Sequence, residues 1–142
     1  MTYHFELPII PRAQKRDRIA AIGGHARSYK DSEQAQYEGK IRALLAQNAP
    51  EKPLEGAVNI TIVCYLPIPA SWSKKKRAAA LQPIPRASIR PTTKPDCSNL
   101  VKNVEDVMNG IVYQDDRQIV GLFVTKWYSD APRWEIEVST ID

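Results

Sequence analysis

Residues 57–66 alternate without a break. Val58, Ile60, Ile62, Cys64 and Leu66 fall on one side, and Asn59, Thr61, Val63 and Tyr65 on the other. Alternation with period two over this length fits an extended strand with one buried face, and no helix would keep those five apolar groups together. A strand must share its backbone hydrogen bonds with neighbours, so this segment commits the chain to a sheet and predicts a central or nearly central place in it.

The neighbours can be read in the same way. Residues 2–10 form a first strand with Tyr3, Phe5 and Leu7 opposite His4 and Glu6, stopped by Pro8 and Pro11. Residues 111–113 are a short strand entry, and QDDRQ is the turn after it. Residues 119–128 and 134–140 are two further strands joined by the Ser129-Asp130-Ala131-Pro132 turn. In the last, Trp134, Ile136 and Val138 alternate with Glu135, Glu137 and Ser139.

Three helices complete the pattern. Asp31 or Ser32 caps one that runs to about residue 47, with Tyr37, Ile41, Leu44 and Leu45 as its apolar stripe. Ser71 or Ser73 caps a short one holding Trp72, Lys74, Lys75, Lys76 and Arg77, bounded by Pro83. Leu100, Val104, Val107 and Ile111, with Met108 beside them, define the third over residues 98–109, and Gly110 takes the left-handed cap position. Asn99, Lys102, Asn103 and Asp106 share its polar side, where Lys102 can pair with Asp106. The expected architecture is a single α/β (α+β) domain over residues 1–142, a mixed sheet of about four strands with helices packed on it.

The charge is uneven. The total is modest, 20 Lys and Arg against 16 Asp and Glu. Yet residues 56–95 contain no acidic residue, while Lys74, Lys75, Lys76, Arg77, Arg86, Arg90 and Lys94 all fall there. Cations in the first turn of a helix oppose its dipole, so they answer to something other than helix stability. Residues 12–30 carry Arg12, Lys15, Arg16, Arg18, Arg27 and Lys30 against Asp17 alone; the Gly23-Gly24 pair breaks regular structure and predicts a mobile basic loop. Both segments suit phosphate contacts; a solubilising surface is the plainer alternative. Cys64 reads as a small buried hydrophobe, and neither it nor Cys97 belongs to a CxxC pair. No apolar run reaches membrane-span length and no signal peptide opens the chain, so a cytoplasmic protein with no membrane partner is expected.

Against this background the stretch 94–119, KPDCSNLVKNVEDVMNGIVYQDDRQI, gathers Asp96, Glu105, Asp106, Asp115 and Asp116. Carboxylates next to a wholly basic segment suit a Mg²⁺ site facing a polyanion, because a hard cation takes oxygen ligands. Asp96 at a helix start and Asp115-Asp116 in a turn before a strand can converge if that helix packs on the sheet, and Lys102 would stand over the phosphate. Plainer roles exist for each: a cap for Asp96, turn chemistry for the DD pair, and an exposed helix face for Glu105 and Asp106.

Lys94-Pro95-Asp96, Asn99-Leu100, Lys102, Asp106, Asn109-Gly110, Asp115-Asp116 and Gln118-Ile119 together closely resemble the RusA family of Holliday junction resolvases of bacteria and their phages, and PIPASWSKKKR is similar to its phage-type members. The resemblance implies a Mg²⁺-dependent endonuclease, with Mn²⁺ also suitable, that works as a homodimer and places paired symmetric nicks in four-way or branched DNA during recombination, repair or phage replication. It implies Asp96, Lys102 and Asp116 as catalytic residues, with Asp96 and Asp116 as metal ligands and Asp115 in support. DNA arms would be held by Arg16, Arg18, Arg27, Lys74, Lys75, Lys76, Arg77, Arg86, Arg90 and Lys94.

One position departs from the family pattern. PDxDN is frequent there, and this chain has Ser98 at the second Asp. A hydroxyl is a weak neutral ligand, so the cradle has one negative charge fewer. Asp115, Asn99 or a phosphate oxygen could fill the place. Alternatively the protein binds junctions without cutting them, cuts flaps and forks less selectively, or is an interaction subunit that uses the Trp72, Trp127 and Trp134 surfaces.

Overall fold

The computed structural model describes residues 1–141. Six strands and three helices run in the order β1 (Thr2–Leu7), β2 (Arg18–Ile22), β3 (His25–Tyr29), α1 (Ser32–Ala46), β4 (Val58–Pro67), α2 (Lys74–Ala80), α3 (Cys97–Met108), β5 (Ile119–Ser129) and β6 (Arg133–Thr140), with a 3-10 turn, Asp116–Gln118, ahead of β5. Four strands form a mixed sheet in the order β1-β6-β4-β5, in which β4 runs parallel to β5 and antiparallel to β6. The central place expected of β4 is the one it holds, with Val58, Ile60, Ile62, Cys64 and Leu66 all buried. Removing each large aliphatic group from water contributes about 1.5–3 kcal/mol, so this one strand anchors the core. Burial also pushes the Cys64 thiol up to about 12, which suits an inert packing group.

α1 and α3 cover one face of the sheet. Tyr37, Ile41 and Leu45 of α1 meet Leu100, Val104, Val107 and Met108 of α3 in a core shared with Phe5, Leu7, Trp134, Ile136 and Val138. Leu44 packs only at the edge of that cluster. The Tyr37 hydroxyl accepts from Trp134 Nε1 (2.9 Å) and donates to the Ile10 carbonyl (2.6 Å), so two buried polar groups satisfy each other. The other face of the sheet is open and acidic, and a groove of about 400 Å³ there is lined by Glu6, Glu135 and Glu137 with His4, Thr61 and Val63.

The structure adds one feature to the sequence reading and departs from it at two others. β5 and β6 are joined by three residues yet do not pair, because β4 lies between them. Two strand spacings are about 9.6 Å, within reach of the few extended residues linking Ser129 to Arg133. Arg133 holds the crossing by donating to the Ala131 carbonyl (2.8 Å) and stacking on Tyr65. Residues 111–113 are turn rather than strand, with Tyr113 making isolated bridges to Leu54 and Asn109. Most importantly, the expected irregular basic loop at 12–30 contains a hairpin. Gly23 and Gly24, both at positive φ (59° and 79°), are its two-residue turn, the geometry whose twist matches paired strands. The glycines do not break the structure; they close it.

Candidate active site

α3 begins at Asp96, whose extended backbone places it at the cap position. Its carbonyl accepts from Asn99 N–H (3.1 Å) and Leu100 N–H (3.0 Å), but its side chain makes no capping hydrogen bond. The carboxylate is exposed and uncommitted. The Lys94–Pro95 peptide before it is cis. This turn is fixed from β5: Lys126 Nζ donates to the carbonyls of Thr93 (3.0 Å) and Pro95 (2.9 Å).

Ser98, Lys102 and Glu105 follow at spacings of four and three, so they share one side of the helix. Glu105 is half-buried there, with the Asp116 carboxylate close enough to act on its ionisation. Burial first, then the negative charges of Asp116 and Asp106, raise the Glu105 pKa, and Lys102 works in the opposite direction. Tyr113 lies beneath, fully buried, and donates to the Glu105 carbonyl (2.8 Å). Its own ionisation is pushed far up by burial and by Glu105, Asp116, Asp106 and Asp115 around it. The end of α3 and the turn after it are therefore a region of negative charge.

Asp115 and Asp116 do different work. The Asp115 carboxylate accepts from Arg117 N–H (2.9 Å), and its own N–H donates to Gln118 Oε1 (2.7 Å), a reciprocal capping box. The Arg117 N–H, then contact with Asp116, lowers the Asp115 pKa. Gln118 Nε2 donates to Leu54 (2.8 Å) and Gly56 (2.9 Å) carbonyls and so ties the turn to the approach to β4. Turn chemistry accounts for Asp115 and leaves Asp116 aimed at α3.

The structure thus brings Lys102, Glu105 and Asp116 together, with Asp115 adjoining. Asp96 is nine residues from Glu105, a rise of about 13 Å along the helix, and no three His, Cys, Asp or Glu side chains among the described residues stand ready as a metal cradle. Glu105, expected on an exposed helix face, is instead the residue in contact with Asp116. Asp106, expected to pair with Lys102, accepts from Gln14 Nε2 (2.8 Å).

Asn103, expected on the polar side of α3, is fully buried. It donates to the Arg12 carbonyl (2.9 Å) and accepts from Gln34, which also donates to Glu38 (2.9 Å); Lys30 closes the chain on Glu38 (2.7 Å). Burial raises Glu38, but the bonds from Lys30 and Gln34 outweigh it and its pKa falls. The network fastens both ends of the basic hairpin segment to α1 and α3.

The cations proposed for DNA divide into two groups. Arg16, Arg27, Lys74, Lys75, Arg86 and Lys94 are exposed, and Arg77 is half-buried. Arg18 is bound to buried Asp31 (2.6 Å), Lys76 stands over Trp72 (4.0 Å), and Arg90 stacks on Trp127 (3.2 Å) while donating twice to the Lys126 carbonyl (3.0 and 2.7 Å). These three hold the protein's own parts. Trp127 and Trp134 are buried, and Trp72 packs edge-on against Tyr128, so the tryptophans do not form an open interaction surface. No helix among the described residues is long and apolar enough to cross a membrane.

Comparison with known proteins agrees with the motif. The chain is 35% identical over 133 residues to the uncharacterized protein YqaN of Bacillus subtilis (strain 168), covering 92% of this chain and 91% of that one. It is 28% identical over 140 residues to the crossover junction endodeoxyribonuclease rusA of Lactococcus phage r1t, covering 98% and 97%. The family model described as Endodeoxyribonuclease RusA matches residues 8–139, which takes in β4, β5 and all but the last residue of β6, and the whole of the acidic stretch. This chain belongs to the RusA endodeoxyribonuclease family.

Proposed function

We propose that this protein is a Mg²⁺-dependent endonuclease, with Mn²⁺ as a suitable substitute, that acts as a homodimer and resolves four-way and related branched DNA by paired symmetric nicks. The observation that carries the reading is that the carboxylates of Asp96 and Asp116 are not spent on holding the fold. Asp96 occupies a cap position without capping, and Asp116 is pressed against a second carboxyl group.

The residues fit a hard divalent cation. The donors are all oxygen, and the Glu105–Asp116 contact concentrates negative charge that Lys102 only partly offsets. Bound there, such an ion would supply Lewis-acid polarisation of the phosphate and acidify the attacking water. Asp96 and Asp116 would hold it, with Asp115 in support. The Lys102 ammonium would face the charge that develops on the phosphate as the bond to the leaving oxygen lengthens. Exposed Lys74, Lys75, Arg86, Lys94, Arg16 and Arg27 would hold the DNA arms.

A second reading, junction binding without cleavage, draws on Ser98 and on the lack of a ready three-ligand cradle among the described residues. A synthetic four-way junction incubated with Mg²⁺ or with EDTA separates the two. Paired nicks lost in EDTA and in Asp116→Asn support the enzyme, whereas tight, salt-dependent binding with intact strands supports the binder. A linear duplex in parallel measures selectivity for the branch.

A further inference from the structure

The four buried polar or charged side chains among the described residues, Asp31, Gln34, Glu38 and Asn103, all hold one structure, the root of the β2–β3 hairpin. Arg18 donates to Asp31 (2.6 Å), Lys30 to Glu38 (2.7 Å) and the Lys15 N–H to Gln34 (3.0 Å), while Asn103 donates to the Arg12 carbonyl (2.9 Å). Beyond that root the hairpin stands out from the body. β2 and β3 form a two-stranded sheet of their own, and every one of their ten residues is exposed except half-buried Ala20. A two-stranded ribbon by itself is marginal in water, and burying polar groups is costly unless they are bonded. The chain commits all four of these groups to aiming a ribbon that lies outside its core.

The two faces of the ribbon differ. Cross-strand pairing sets Arg18 opposite Tyr29, Ala20 opposite Arg27 and Ile22 opposite His25, so these six share one face, while Ile19, Ala21, Ala26 and Ser28 share the other. Arg18 is bound to Asp31. That leaves Arg27 as the one Arg or Lys of the ribbon with no hydrogen bond or ion pair among the described residues. A clamp for phosphates would be loaded with free cations, because each contact contributes only about one unit of salt dependence. One cation does not account for four buried anchors. Small Ala20 stands opposite Arg27 and leaves its guanidinium fork open, and Ile19 and Ile22, 75% and 57% exposed, add apolar surface without charge.

We infer that the β2–β3 ribbon reads bases: it lies in the major groove of a DNA arm, where the Arg27 fork donates to O6 and N7 of a guanine. The major groove, about 12 Å wide, admits a two-stranded ribbon, whereas the minor groove, about 6 Å wide, is too narrow for one. β2 spans five residues, about 17 Å at about 3.4 Å each, so the root can stay on the protein while the outer half follows the groove. The root is seated on the helix of the candidate site. Gln14 donates through its N–H to the Asn99 carbonyl (3.3 Å) and through Nε2 to Asp106 (2.8 Å), on either side of Asn103. A guanine bound by Arg27 is therefore held at a set offset from Lys102, the residue before Asn103. Which base is read then decides which phosphate meets the proposed metal site. This inference rests on the DNA-binding part of the function proposed above and assigns the sequence-reading element within it.

Selection from four-way junctions whose arms are randomised near the branch tests this, with binding measured in EDTA so that strands stay whole. Junctions bound by the parent should be enriched in guanine at a fixed distance from the branch point, and Arg27→Ala should abolish the enrichment. Replacing that guanine with 7-deazaguanine, which lacks the N7 acceptor, should weaken binding by the parent about fivefold or more and leave Arg27→Ala unaffected. Arg27→Lys keeps the charge without the fork, so it should retain the salt slope of the parent and lose most of the preference. Arg27 is exposed, so both variants should melt with the parent. If the parent shows no enrichment, or binds 7-deazaguanine as it binds guanine, the inference is overturned and the nuclease proposal stands. The same holds if Arg27→Ala weakens every sequence alike and lowers the salt slope by about one, since Arg27 is then a phosphate contact. If the parent binds no junction in a salt-dependent way, inference and proposed function fail together. A parent that reads guanine but cuts nothing would uphold the ribbon and remove the nuclease.

Discussion

The Lys126 ammonium lies 2.9 Å from the carbonyl oxygen of Pro95, the residue that delivers Asp96 to the start of α3. It reaches Thr93 as well, and its own carbonyl is gripped by Arg90. A basic residue on the sheet therefore sets the position of a proposed metal ligand without touching it. Lysine suits the task, since one ammonium has three donors and two carbonyls in the same loop need holding.

Replacing Lys126 with Met keeps the stem and removes both bonds. The loop before Asp96 should loosen, and displacements of about 1 Å at a reacting centre can cost around a hundredfold in rate. Single-turnover cleavage of a four-way junction should fall by one to two orders of magnitude, with a thermal melt close to the parent. An unchanged rate would mean that Asp96 is positioned by α3 alone.

Asn103 satisfies Gln34 and the Arg12 carbonyl from a fully buried position. Asn103→Leu, of similar size, strands both partners and should destabilise the fold by about 1–3 kcal/mol. Urea denaturation should show a lower midpoint with an unchanged slope. Gln34→Leu in the same chain should add to the loss, because it also removes the donor to Glu38 (2.9 Å) and the acceptor of the Lys15 N–H (3.0 Å).

Asp31 caps α1 and is held below the usual carboxylate range, first by the hydrogen bond from Arg18 and then, against burial, by the Gln34 N–H and the charges of Arg18 and Lys15. Its folded-state pKa lies below its unfolded value. The stability it contributes is therefore complete above the unfolded pKa, about 4, and is lost as pH falls through the folded value. The melting temperature should drop on acidification below about pH 4, and Arg18→Gln should flatten that drop. Measuring melts from neutral pH downward in both proteins checks this.

The sequence revealed the sheet and helices well because they are coded by local period, as at Val58 to Leu66 and at Leu100 to Val107. The hairpin at 18–29 was hidden because no apolar alternation supports it; its signal was the turn pair Gly23-Gly24, which also fits a plain loop. The insertion of β4 between β5 and β6 is a long-range choice that no window of residues encodes. In the candidate site, Asp96, Lys102 and Asp116 were legible as parts of a motif. Glu105 was not, although its spacing from Ser98 and Lys102 put it on their side of α3, because only the fold of the 116–118 turn brings Asp116 against it. Lys126 had no signal at all: its partners are backbone carbonyls from a loop more than thirty residues away.

The division of the cations predicts two kinds of mutant. Lys74→Ala and Lys75→Ala remove exposed charges, so each should weaken binding of all DNAs alike and reduce the slope of log K against log salt by about one. Arg90→Ala removes a stacking and hydrogen-bonding clamp. It should lower the melting temperature and leave the salt slope nearly unchanged. Salt titrations of a labelled junction, paired with melts, distinguish the two behaviours.

Ser98 is exposed, four residues ahead of Lys102 and seven ahead of Glu105 on the same side of α3. Ser98→Asp restores a negative charge at the start of that side. An aspartate in the first turn also favours the helix dipole by about 0.3–1 kcal/mol, so the variant should fold at least as well as the parent. If the proposed metal site is short of charge, the Mg²⁺ concentration for half-maximal cleavage should fall about tenfold, a difference of 1.4 kcal/mol in ion binding. Glu105→Gln should shift it the other way. Were Ser98→Asp to leave the Mg²⁺ requirement unchanged while Glu105→Gln raised it, Glu105 would already be filling the place of the missing aspartate, and the contact between Glu105 and Asp116 would be the means by which this chain tolerates serine there.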